Sequence, residues 1–222
     1  MIKITTITPE ELNFLCQHGE AIDNKGGYPA VVIHPDDTIT KLWARKRKLL
    51  SSATLCPYSN RFVRNAEELK RQGIAVPEIL SHATVKNSHV RIVTYRPLPG
   101  QSIRELLREN PESVNIPELC EYIYQLHQKG ILFRSMHLGN IIQGPGTNNY
   151  GLIDFTDVKF YSRPAPLLRR AANLATPLRY TQDIDRIKEA GLPSLQKSYL
   201  NILQLSKTEK QRFNDELNRY LK

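Results

Sequence analysis

An amide and a carboxylate stand at the strand ends of one short hairpin, and those two residue types set the chemistry open to this chain. The stretch L-H-Q-K-G-I-L-F-R-S-M-H-L-G-N-I-I-Q, beginning at Leu126, runs into a Gly/Asn-rich turn and then Y-G-L-I-D-F-T-D-V, ending at Val158. It reads as a helix end at Leu126 and His127, a loop over 133–139, a strand over 141–143, a turn over 144–149 and a second strand over 152–153 closing on Asp154. Asn140 is thereby placed at the mouth of one strand and Asp154 at the end of its neighbour. Two oxygen donors on fixed backbones can chelate a hard cation between them. Lys41 is the third such residue: side chains alternate with period two, so it shares a strand face with Ile39 and Trp43, and a lysine on a half-buried face needs a partner. Snorkelling of its ammonium to water from an edge strand is the alternative use of the same residue.

Local signals give the elements that must position these groups. Thr8 caps a helix over 9–17, with Glu11 completing a capping box. From Gly19 to Trp43 the pattern is a meander, with strands over 20–22, 30–33 and 38–43 and turns at 24–27 and 34–37. A helix over 58–72 is ended by Gly73 and Pro77, and its apolar face carries Phe62, Ala66 and Leu69. At about 100° per residue Asn65 falls on that face, Glu68 on its flank and Glu67 on the far side. Strands over 81–85 and 89–95 follow, then Arg96-Pro97-Leu98-Pro99-Gly100, whose Pro and Gly content marks a boundary. Ser102 opens a helix with Glu105 completing a second capping box, and a longer helix over 115–129 bears a core stripe of Leu119, Tyr122, Ile123 and Leu126. Beyond Asp154, Arg163, Arg169, Arg170 and Arg179 punctuate Pro-containing segments, and the end reads as two helices over 194–205 and 207–221, the second capped by Ser206.

The hairpin and its flanks resemble the catalytic and metal-binding segments of the protein-kinase-like superfamily. Within it the likeness is to small bacterial lipopolysaccharide-core sugar kinases and toluene-tolerance proteins, in which L-H-x-x-G-I and L-H-x-G-N-I-L precede L-I-D-F. The segment I-A-V-P-E-I-L over 74–80 resembles the G-V-P-V-P-x-V-L that introduces the fourth strand in sugar and aminoglycoside kinases. The resemblance covers residues 19–158 and thins beyond them. It implies an α+β, two-lobed fold in one domain: over 1–96 an amino-terminal lobe of a five-stranded antiparallel sheet with one main helix and the N-terminal helix, over 97–222 a reduced, mostly helical carboxy lobe, and a hinge at 96–100.

The same resemblance implies ATP and Mg²⁺ as cofactors, Asn140 and Asp154 as metal ligands, and Lys41 on the nucleotide phosphates. Gly26 and Gly27 would form the loop that approaches those phosphates, although Asn-Lys-Gly-Gly also makes an ordinary hairpin turn. Kinases orient the lysine with a helical glutamate; here the inward position holds Asn65, with Glu68 as the substitute. Where the family reads H-G-D-L-H-P-G-N this chain reads F-R-S-M-H-L-G-N over 133–140, so Ser135 takes the place of the catalytic Asp. A hydroxyl carries no negative charge near neutral pH, and losing general-base help slows a reaction by roughly 10²–10⁴. Asp157, three residues past Asp154, and His137, with an intrinsic pKa of about 6.5, are the groups that could compensate. Their ordinary uses are a turn cap for Asp157 and a scaffold role for His137.

The formal charge of +9 in 222 residues favours an acidic partner: nucleic acid, an anionic membrane surface or a phosphorylated sugar. No zinc-finger, helix-turn-helix or RNA-binding aromatic motif supports nucleic acid, and the run Arg45-Lys46-Arg47-Lys48 reads as a solvated face. Arg163, Arg169, Arg170 and Arg179 would present a positive rim to an anionic sugar or glycolipid acceptor. No stretch approaches the ~20 apolar residues of a membrane span, and the first residues lack an apolar signal core, so the expected place is the cytoplasm with peripheral contact at the inner membrane. Cys16, Cys56 and Cys120 are too far apart to form a C-x-x-C pair. Three functions stay open: an ATP- and Mg²⁺-dependent phosphotransferase acting on a sugar or lipopolysaccharide-core hydroxyl, a nucleotide-binding pseudokinase that serves as scaffold, and a basic membrane- or nucleic-acid-binding module.

Overall fold

Alternating apolar residues build one sheet from β1 (Ile4–Ile7), β2 (Glu20–Asn24), β3 (Pro29–Ile33), β4 (Ile39–Trp43), β5 (Glu78–Val85) and β6 (Arg91–Arg96), in the order β1-β5-β6-β4-β3-β2. A computed structural model describes residues 2–24, 27–44, 56–146 and 149–221, and two compact units divide the chain, Met1–Leu98 and Pro99–Lys222. The basic run over 45–48 and Gly26 lie outside the described residues. Strands β2 to β6 are the five antiparallel strands the resemblance implies. A sixth, β1, joins them in parallel along β5, with Ile4 opposite His82 and Ile7 opposite Val85.

Among the described residues one helix covers each face of this sheet. Helix α1 (Pro9–Gln17) starts at the expected capping box, where Glu11 N donates to Thr8 Oγ1 at 3.2 Å and Thr8 N donates to Glu11 Oε2 at 2.6 Å. Its Leu12 is buried with Val32, Leu42, Ala83, Val85, Val90 and Ile92, the residues whose alternation turns them to one face. Helix α2 (Tyr58–Arg71) packs on β5 and β6 and buries Phe62, Ala66 and Leu69. Each such fully buried side chain stabilises by roughly 1.5–3 kcal/mol. Phe62 lies 5.7 Å, ring to ring, from both Trp43 and Tyr95, so the α2 side of the sheet is the Lys41 side.

In the second unit α3 (Ile103–Glu109) begins at the Ser102–Glu105 capping box and α4 (Ile116–Gln128) at Asn115. Strands β7 (Gln101–Ser102), β9 (Ile141–Gln143) and β10 (Tyr150–Leu152) make a small sheet in the order β10-β9-β7, and β8 (Ile131–Phe133) pairs with β11 (Val158–Phe160). The rest is helical: α5 (Leu167–Leu178), α6 (Thr181–Glu189), α7 (Leu195–Leu203) and α8 (Lys207–Leu221). Helix α7 packs on α4 and α8 on α5, burying Tyr199 and Phe213. Among the described residues no helix is long and apolar enough to cross a membrane.

Candidate functional site

The loop that carries the candidate site starts from a fixed point. Gly130, just past α4, has φ +76°, and a Cβ there would lie 2.4 Å from the Tyr161 carbonyl oxygen, so only glycine fits this position of L-H-x-x-G-I. His127 is fully buried, with Nε2 3.0 Å from Asn173 Oδ1 and Nδ1 2.5 Å from the Tyr199 hydroxyl. Against an amide oxygen Nε2 must donate, which leaves Nδ1 to accept from Tyr199. Asn173 then donates from Nδ2 to the Phe133 carbonyl at 2.7 Å, so a chain of buried hydrogen bonds pins the end of β8. Burial pushes the His127 pKa down to about 4, and the ring is neutral.

From β8 the backbone folds tightly onto itself. His137 N donates to Ser135 O at 2.8 Å, Asn140 N to His137 O at 2.9 Å and the buried Asn140 side chain, through Nδ2, to Ser135 O at 3.0 Å. With its nitrogen spent on Ser135, the amide keeps its oxygen as a cation donor. The Asn140 carbonyl accepts from Ile153 N at 3.0 Å, tying it to the residue before Asp154. The hairpin thus brings Asn140 and Asp154 together. Leu152 and Phe155 are both fully buried, and the chain between them turns through a left-handed Asp154, φ +50°, whose carboxylate is exposed. Aspartate is among the few non-glycine types that tolerate this conformation.

Ser135 and the two residues expected to compensate for it, Asp157 and His137, have different surroundings. Ser135 is half-buried, and its carbonyl accepts the two bonds just described. Asp157 is exposed and paired with Arg134, Nη1 to Oδ1 3.2 Å, while its carbonyl accepts from Arg134 N at 3.0 Å, so it braces the β8–β11 ladder. His137 keeps a buried Nδ1 that makes no hydrogen bond. Burial lowers its pKa, the Arg104 guanidinium lowers it further, and the carboxylates of Asp183 and Asp154 act against both. Sequence reasoning missed what surrounds this ring. Arg104 on α3 grips the buried Asp183 of α6 at 2.9 and 2.8 Å and lies 4.6 Å over the Tyr180 ring, itself 5.0 Å from His137. A sequence separation of 79 between Arg104 and Asp183 left no local signal for the pair.

In the first unit Lys41 sits on β4 with Nζ 5.7 Å from the Phe62 ring centre and 5.8 Å from that of Trp43. Asn65 is buried one turn along α2 from Phe62, on the same side. Glu68, by contrast, is held by its own helix: Arg71 bonds it at 2.6 and 2.9 Å and Gln72 at 2.6 Å, and these bonds, Arg71's foremost, hold its carboxyl down to about 2. Gly27 has φ +85° with open space where a Cβ would be, so its glycine serves a turn. Of the arginines expected on a positive rim, Arg163, Arg169 and Arg179 are exposed. Arg170 is not: it is buried and donates from Nε to Ala165 O at 2.7 Å, a structural use that its burial requires.

No family model matches the chain, and no curated protein matches it. Among solved structures it is similar to the bifunctional kinase-methyltransferase WbdD, at 15% identity and a TM-score of 0.48, over 85% of this chain and 47% of that one. It is also similar to vaccinia related kinase 3, at 13% identity and a TM-score of 0.43, over 90% of this chain and 80% of that one. The chain therefore spans less than half the length of the first of these proteins.

Proposed function

We propose that the chain is an ATP- and Mg²⁺-dependent phosphotransferase acting on a hydroxyl of a sugar or glycolipid. The observation that supports this reading is the lock in which the Asn140 side chain donates to Ser135 O and its backbone carbonyl accepts from Ile153 N, the residue before the exposed Asp154. An amide oxygen and a carboxylate fit magnesium, a hard cation that takes one or two carboxylates and completes its shell with phosphate oxygens and water. Among the described residues no group of three or more His, Cys, Asp or Glu could hold a metal alone. When bound, the metal neutralises charge on the β- and γ-phosphates.

The protein's own residues do the remaining work in this reading. Lys41 adds positive charge to the phosphates, Asn140 and Asp154 fix the cation, and the Ser135 hydroxyl orients the acceptor. Phosphoryl transfer passes through a loose transition state, so positioning carries most of the catalysis and transfer survives a missing base at reduced rate. Thermal-shift titration with ATP, with and without Mg²⁺, tests the site. Stabilisation should require the metal and vanish in Asp154→Ala, and equal stabilisation of the two proteins would remove Asp154 from it.

A nucleotide-binding pseudokinase is the second reading, favoured by Ser135 and by Glu68 being spent on Arg71 and Gln72. Mg²⁺-dependent ATP binding without phosphate transfer to any sugar or glycolipid acceptor would select it.

A further inference from the structure

On the second unit four cations converge on a concavity of about 440 Å³. Its floor is the β8–β11 ladder, where Leu132 pairs with Lys159; period-two alternation puts Arg134 and Tyr161 on that same face. One wall is α5, which contributes positions 169, 172, 173 and 176, the spacing of a single helix face. Arg179, just past the end of α5, and Tyr220 of α8 close the rim, with Arg179 Nε donating to Tyr220 O at 2.7 Å. No carboxylate is among the described lining residues. The acid paired with one of these cations is Asp157, on Arg134, and both side chains are more than half exposed, 65% for Arg134 and 53% for Asp157, where an ion pair is weak.

Like charges repel, so gathering Arg134, Lys159, Arg169 and Arg179 from separate elements around one hollow carries an electrostatic cost that an anion bound among them would relieve. Such convergence is the footprint of an anion. Guanidinium forks match phosphate geometry and a lysine adds a point charge, so the four donors suit a dianion better than a single carboxylate. The volume exceeds what an inorganic ion fills. Tyr161, with Lys159 Nζ 4.7 Å over its ring, and Tyr220 supply flat faces for a ring-shaped body beside the charge.

We propose that this concavity is a binding site for a phosphomonoester on a sugar-sized body, either a soluble phosphosugar or a phosphorylated lipid headgroup. It is built wholly from the second unit and needs neither nucleotide nor Mg²⁺, so its test is independent of the phosphotransferase reading.

The experiment is calorimetric titration of the full chain, without nucleotide or metal, with glucose 6-phosphate, inorganic phosphate and glucose, alongside sedimentation with phosphatidic acid and phosphatidylcholine vesicles. Glucose 6-phosphate should bind, inorganic phosphate more weakly and glucose not at all. Lys159→Gln and Arg169→Gln should each weaken binding about 10-fold, the worth of one charged hydrogen bond. Arg108→Gln, on α3 where Arg108 pairs with Glu109, should leave it unchanged. Binding to phosphatidic acid vesicles alone, weakened by the same two substitutions, assigns the phosphate to a lipid. The proposal is overturned if wild type binds neither phosphate source, if both variants bind as wild type does, or if Arg108→Gln costs as much as they do.

Discussion

His127 and Ser135 are separated by one short strand and place opposite demands on protons. Buried His127 stays neutral in the folded chain down to about pH 4, whereas in the unfolded chain it takes a proton near its ordinary 6.5. Above pH 6.5 neither state binds the proton and the full stability is present; as pH falls from 6.5 towards 4 the unfolded chain binds more protons and stability declines. The loss should be on the order of 3 kcal/mol, complete only below pH 4. Urea midpoints from pH 7.5 to 4 should show this decline in wild type and a shallower one in His127→Gln. At Ser135 the concern is a proton leaving the acceptor. Ser135→Asp should raise kcat by roughly 10-fold or more by restoring a base, while Asp157→Asn, which only loosens Arg134, should leave kcat within about twofold. A turnover lost in Asp157→Asn with ATP affinity kept would instead make Asp157 the base.

Elements with their own start signals were legible. Thr8, Ser102 and Ser206 each cap a helix where expected, and each is answered by a glutamate three residues on. Helices α5 and α6 were not, because Pro166 and Tyr180 precede them without a side-chain cap, and Pro177 inside α5 reads as a breaker although it falls in the last turn. Strands β8 and β11 have only three residues each, too few for alternation to register, and they exist because they pair with each other across the site. The hairpin that carries Asn140 and Asp154 was legible from its spacing; the Arg104–Asp183 pair depends on α6 and was not. Two substitutions test these supports. Gly130→Ala forces a left-handed alanine into the Tyr161 carbonyl and should lower stability by about 2 kcal/mol or more, read as a fall in Tm. Asp183→Ala strands the Arg104 guanidinium and should cost roughly 3 kcal/mol, more than any exposed pair such as Arg134–Asp157.

Across the whole chain the excess of 31 Lys and Arg over 22 Asp and Glu puts the isoelectric point near 9.5. At neutral pH this charge opposes self-association, and light scattering should show association growing as pH is raised towards 9.5. The parallel pairing of β1 with β5 also sets an order in time. Thr5 reaches the His82 carbonyl across 77 residues. During synthesis at ~5–20 residues per second, β1 is made roughly 4 to 15 seconds before the strand it pairs with. Its neighbour α1 needs no such wait, since its cap is three residues away. Until β5 arrives, the backbone groups of β1 are an unpaired edge open to other nascent chains. Of the six strands of this sheet β1 comes earliest in chain order, yet it waits for the fifth before it can pair.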